Sequence, residues 1–194
     1  MNAPVLPYAT ARLPVHTAVG EAIFPLNEFY ARAGKPLPAF EVIPGADLPE
    51  PYRKLLFHGR DMTPTLQDYH RSDIHIEVLG RERRGNEYFR EVILRRDRDD
   101  QPVEFGANRI ALDLLPGMIR RLVLQEYLPL GHILKVHELP HTGQPSAFFR
   151  MATDALINRA FGLSSTRVVY GRRNTLRDLS GRPLSDVVEI LPPL

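Results

Sequence analysis

The ten residues from Glu87 to Arg96, EYFREVILRR, constrain this chain more than any others. They are rich in β-branched and aromatic residues and read as a strand. Alternation places Tyr88, Arg90, Val92 and Leu94 on one face, and Phe89, Glu91 and Ile93 on the other. Both faces are apolar and each carries one charge. Either one charge points towards a core, or that face lies in water and its tyrosine is incidental. A guanidinium turned inward without a partner is costly. In the first case it must hold a carboxylate, from the protein or from a ligand.

The neighbouring segments extend this pattern. SDIHIEVLGRER alternates as a strand, with Ile74, Ile76 and Val78 on one face. RDRDDQP is a polar turn, and VEFGANRIAL is a further strand, so a hairpin is expected. GHILKVHEL and SAFFRM also read as strands, and TRVVYGRRNTLRDL and PLSDVVEIL form a last pair joined by the tight turn SGRP. Helices are expected over Leu26–Ala33, PYRKLLFHG, PTLQDYH with Asp61 or Thr63 as cap, LLPGMIRRLVLQEYL, and TDALINRAFG capped by Thr153 or Asp154. The sum is an α+β fold: about six antiparallel strands with helices packed on one side. Prolines at 4, 7, 14, 25, 36, 38, 44, 49 and 51 interrupt any long helix near the start. Residues 1–50 therefore read as an N-terminal arm or cover, and 51–194 as the domain proper.

Composition removes several classes of function. The 194 residues contain no cysteine, which excludes disulfides, thiolate metal sites and a cysteine nucleophile. A net charge of +2 gives no electrostatic signature for nucleic acid. No apolar stretch approaches the roughly 20 residues that span a bilayer, and the start carries no secretory pattern, so a cytoplasmic protein without a membrane span is expected. His137, Glu138 and His141 spell HELPH, formally the zinc-protease pattern. Pro140 breaks it, and in the expected strand residues four apart lie about 13 Å from each other, too far to share a metal. The reading is a strand end running into a turn. No phosphate loop, dinucleotide fingerprint or nucleophile elbow is present.

The C-terminal strand again carries charge among apolar residues. Glu189 shares a face with Val187 and Leu191, and Asp186 shares the other with Val188 and Ile190. Such a carboxylate is an acid or base of raised pKa, an arginine partner, or a solvated edge residue. Arg172 and Arg173 fall on opposite faces of the preceding strand.

YGRRNTLRDLSGRPLSDVVEILPP resembles the C-terminal hairpin of the chorismate pyruvate-lyases. YFREVIL resembles that family's central strand, GRDMTPTL its segment around a pocket methionine, and YLPLGHIL its Pro-Leu-Gly segment. The order and rough spacing agree over residues 50–194. The resemblance implies a chorismate lyase-like fold with an internal, lidded pocket. It implies a carbon–oxygen lyase that converts chorismate to 4-hydroxybenzoate and pyruvate without cofactor or metal, for ubiquinone biosynthesis. Carried over, Arg90 binds the ring carboxylate, Glu189 meets the ring hydroxyl or takes a proton, and Met62 and Leu130 line the pocket. Arg109, Arg172 and Arg173 are the candidates for a second carboxylate.

Two other classes stay open. QPVEF and YGRR also resemble the effector modules of bacterial transcription regulators, which share this fold, so a non-catalytic binder of a small aromatic or cyclohexadiene acid is the alternative. An accessory protein with a degenerate pocket is the third. Oligomeric state is not legible.

Overall fold

The computed structural model describes residues 18–194, so the first seventeen residues of the expected arm lie outside the described residues. The elements in chain order are α1 (Ala18–Ala22), α2 (Leu26–Arg32), β1 (Phe40–Ile43), α3 (Tyr52–Leu56), α4 (Met62–His70), β2 (Ile74–Arg84), β3 (Glu87–Arg96), β4 (Pro102–Ala111), α5 (Gly117–Gln125), α6 (Leu130–Val136), β5 (Thr142–Ala152), α7 (Ala155–Phe161), β6 (Val168–Arg177) and β7 (Pro183–Leu191). The strands form one antiparallel sheet in the order β1-β5-β6-β7-β4-β3-β2.

The sheet has seven strands rather than about six. The additional one, β1, is a four-residue edge strand between Pro38 and Pro44, and it pairs Phe40 with Met151 of β5. Edge positions tolerate nearby proline because one side of the strand needs no ladder partner. Residues 18–50 thus add two helices and a strand to the same body as residues 51–194.

Helices cover both faces of the sheet, not one. On the first face, Ile23, Leu26, Phe29 and Tyr30 from α1–α2 and Ile157, Ala160 and Phe161 from α7 pack on Phe89, Ile93, Phe105, Val188 and Ile190. On the second, α5 and α6 pack on Tyr88, Ile110 and Leu176. There, α3 and α4 pack on Ile74, Leu94 and Leu191. The apolar residues on both faces of β3 are the physical reason: a sheet covered twice has no solvent face.

Local signals explain most boundaries. The Asp154 carboxylate accepts the backbone N–H of Leu156 at 3.0 Å and of Ile157 at 2.9 Å, capping α7, and Gly162 ends it at φ 67°. Asp178 closes the β6–β7 turn by accepting the N–H of Ser180 and Arg182. One expectation fails. GHILKVHEL is not a strand: Leu130–Val136 is helix α6. Its buried residues Leu130, Ile133 and Leu134 stand at helical spacing, and Pro129 begins it. The HELPH residues accordingly end a helix, with His137 as its C-cap and Glu138 at φ 49°.

Candidate ligand-binding site

The register of the four inner strands places a polar row inside the second face. Arg90 of β3 sits opposite Asn108 of β4, which sits opposite Val187 of β7, which sits opposite Asn174 of β6. Two residues along, Val92, Gly106, Glu189 and Arg172 form the next row. Glu104 stands beyond Gly106, opposite Leu94. A cavity of about 40 Å³ opens above these rows. Its floor is Arg90, Val92, Glu104, Asn108, Asn174 and Glu189, and its roof is Met62 and Thr63 of α4 with Leu130 and Gly131 of α6. The four residues singled out by resemblance, Met62, Arg90, Leu130 and Glu189, therefore line one space.

Arg90 is 1% exposed. Its Nε donates to Asn108 Oδ1 at 3.0 Å, and its Nη1 has no partner. Among the described residues no carboxylate lies within ion-pair distance of it. Burial pulls the guanidinium down to about 10, still charged at neutral pH. Glu91, on the opposite face, is buried too, and burial raises its carboxyl. The two readings left open for β3 thus resolve the same way for both charges.

Glu189 is occupied differently. Its Oε2 accepts a close hydrogen bond from Nε of Arg172, which is wholly buried. Arg172 also donates to Leu56 O at 3.1 Å, His58 O at 2.5 Å and Arg60 O at 3.0 Å. One guanidinium therefore ties β6, β7 and the segment after α3 together. Burial, then Arg172 and Arg60, hold the His58 imidazole down at about 4, so it stays neutral. Arg60 N and Arg172 Nη1 both approach its Nδ1, at 3.2 and 3.3 Å, which places its proton on Nε2.

The other candidate arginines point away. Arg109 and Arg173 lie on the first face, where Arg109 pairs with Glu87 and Asp186, and Arg173 with Asp186 at 3.3 Å. Arg172 is spent on Glu189. A second free guanidinium for a second carboxylate is absent from the cavity among the described residues.

Sequence reasoning missed Glu104, Asn108, Asn174 and Asp61. Glu104 is 4% exposed and its Oε2 has no partner. Burial, with the charge of Glu189, raises its carboxyl well above the usual range against the opposing pull of Arg172. Asp61, expected as a cap, makes no side-chain cap bond. It faces His141 instead, whose Nε2 lies 3.0 and 3.1 Å from its two oxygens. That hydrogen bond to Asp61 raises the imidazole above its usual value. This pair joins the α4 roof to the start of β5 at the rim of the cavity. No cluster of potential metal ligands exists among the described residues, and no helix there is long and apolar enough to cross a membrane.

No family profile and no curated protein matches the chain's sequence. Solved structures do match its fold. PhnF from Mycobacterium smegmatis superposes with a TM-score of 0.53 at 10% identity, over 68% of this chain and 63% of that one. The effector domain of PhnF alone gives 0.51 at 9% identity, over 68% of this chain and 88% of the domain. Gene product SA0254 from Staphylococcus aureus gives 0.52 at 10% identity, over 71% and 90%. The expectation of a lyase is corrected by these matches: the solved structures that share the fold include the effector domain of PhnF. Glu189, expected to meet a ring hydroxyl or take a proton, is bound to Arg172. The fold is the chorismate lyase-like fold of UTRA-type ligand-binding domains.

Proposed function

We propose that this chain is a non-catalytic binding domain that takes one small, ring-sized organic carboxylate into the cavity beneath α4 and α6. One observation carries the reading: the Arg90 guanidinium is fully buried, charged, and has a nitrogen without a partner on the cavity floor. A buried cation in that state is costly, and a bound carboxylate offsets the cost with charge-assisted hydrogen bonds. Asn108 occupies Nε and so leaves the outer nitrogens for the ligand. Met62, Leu130, Val92 and Val187 supply apolar walls for a flat body.

The cavity as it stands has room for a few waters, at roughly 10–15 Å³ each. Access for a ring therefore requires α6 to part from α4. The two helices meet closely at Gly131, where a Cβ would lie 3.2 Å from Asp61 Cβ. The test is titration calorimetry with benzoate. Binding by the wild-type protein and its loss in Arg90→Met support the reading. Binding that survives Arg90→Met overturns it.

A further inference from the structure

The twelve large apolar side chains that the described residues leave exposed are not evenly spread. Five of them, Met118, Leu124, Tyr127, Leu128 and Val136, fall on α5, on α6 and on the turn between the two. The core does not need them. α5 turns Ile119 and Val123 inward, α6 turns Leu130, Ile133 and Leu134 inward, and these residues pack together on the second face of the sheet. Leu124 and Val136 therefore stand on the solvent side of helices whose apolar stripe is already filled. Tyr127, in the turn, is 78% exposed.

Cations are interleaved with these side chains. Arg120, Arg121 and Lys135 are exposed, and none of the three makes an ion pair or a side-chain hydrogen bond among the described residues. From Gly117 to His137 the one carboxylate is Glu126, and Arg81 and Tyr88 occupy it. Asp113 and Glu138 lie outside those bounds. Residues three and four apart on a helix are neighbours on its surface. Leu124 thus adjoins both Arg120 and Arg121, and His132 adjoins both Lys135 and Val136.

We propose that the outer face of α5 and α6 docks an acidic segment of a partner protein, one that interleaves carboxylates with bulky apolar side chains. Arginine, tyrosine and methionine around an apolar centre are the residue types that protein interfaces favour. Three free cations with no free carboxylate between them call for a negative partner. A second copy of this chain would bring like charges together across an isologous contact. A lipid surface takes up helices with apolar residues on one side and basic residues on the other. Here the apolar side of each helix is spent on the sheet, and the outward residues mix both kinds. α6 also roofs the cavity through Leu130 and Gly131, so an occupant of this face and an occupant of the cavity press on opposite sides of one helix. The docking surface stands whether or not the cavity takes a carboxylate.

The test is fluorescence anisotropy with labelled peptides of about twelve residues, one built of glutamate, leucine and phenylalanine, the other with lysine in place of glutamate. The full chain binds the acidic peptide and not the basic one, and raising salt to about 0.5 M weakens binding roughly fivefold. Arg121→Glu combined with Lys135→Glu, and separately Leu124→Ser, each weaken it about tenfold, the worth of two rim charges or of one half-buried leucine. These side chains face solvent, so each variant keeps the wild-type Tm, and one that loses it is replaced by Arg120→Glu or Leu128→Ser. Binding that the substitutions leave unchanged overturns the proposal, as does no binding of the acidic peptide at about 1 mM. Sedimentation with phosphatidylserine vesicles in place of peptide binding assigns the face to a lipid surface, and dimerisation abolished by Leu124→Ser assigns it to a second copy. Either result overturns the proposal. Benzoate binding tests the cavity separately and is untouched by any of these outcomes.

Discussion

Replacing Arg90 with methionine should make the empty protein more stable while abolishing its capacity to bind acids. The guanidinium is fully buried, and burial lowers its proton affinity to about 10, which corresponds to roughly 3 kcal/mol against the charged form. Arginine is charged in both folded and unfolded states at neutral pH, so the whole penalty is present there. It is relieved only as pH climbs past about 10. Methionine removes it and fills similar volume with apolar atoms. Against this gain stands Asn108 Oδ1, which loses its 3.0 Å bond at a cost of about 1–2 kcal/mol. The net is about 1–2 kcal/mol of added stability, or a Tm higher by roughly 2–8 °C for a chain of this size. Saturating benzoate at about 100 times its Kd should raise the wild-type stability by roughly 3 kcal/mol and leave the variant unmoved. Urea denaturation and differential scanning calorimetry measure both. A variant destabilised by more than about 2 kcal/mol would refute the reasoning, because the guanidinium would then be holding the empty fold together.

Three further perturbations probe the same region. Glu104→Gln should differ little from wild type at pH 4 and become progressively more stable as pH rises. The native carboxyl, with its raised pKa, costs stability from the unfolded value near 4.3 upward, at about 1.4 kcal/mol per pH unit until it ionises in the fold; a pH-independent difference in Tm would contradict this. The His141 ring should titrate above 6.5 by NMR and return towards 6.5 in Asp61→Asn. Its bond to Asp61 contributes stability fully below 6.5 and loses it as pH rises through the folded value, so benzoate should exchange faster at pH 8.5 than at pH 6. Gly106→Ala puts a Cβ 2.3 Å from Val188 O, a backbone atom of the β4–β7 ladder, and should cost about 2–3 kcal/mol in urea denaturation; a loss under about 0.5 kcal/mol would show that the strands can separate there.

Much of the sheet was legible because β3, β6 and β7 state their period in their own residues. Tyr88 to Leu94 alternate as written, and the Asp178–Arg182 turn closes with the chemistry its sequence announces. The expected strand at Gly131–Leu139 failed because a seven-residue helix and a short strand share the same apolar content. The buried positions 130, 133 and 134 separate the two only once Pro129 is read as a start signal. The covering of both faces was concealed by VEFGANR. There Val103, Phe105 and Ala107 look like the inner face, while Glu104, Gly106 and Asn108 look like the wet one. In the fold that polar face is buried, and it is the floor of the cavity.

That inversion also explains why resemblance found one half of the site and not the other. Arg90 and Glu189 each interrupt an otherwise apolar face, so each stands out in its strand. Glu104 follows the alternation it belongs to and draws no notice until the helices α3 to α6 are placed over it. Its importance comes from what surrounds it: a glycine that makes room, a carboxylate neighbour already paired with Arg172, and burial that raises its carboxyl well above the usual range. A sheet wrapped on both faces turns any regular polar alternation on the wrapped side into a row of buried polar groups. Each of those must then be paired within the protein or by what it binds. Asn108 is paired with Arg90, and Glu189 with Arg172. Arg90 Nη1, Glu104 Oε2 and Asn174 Oδ1 are left over within the protein.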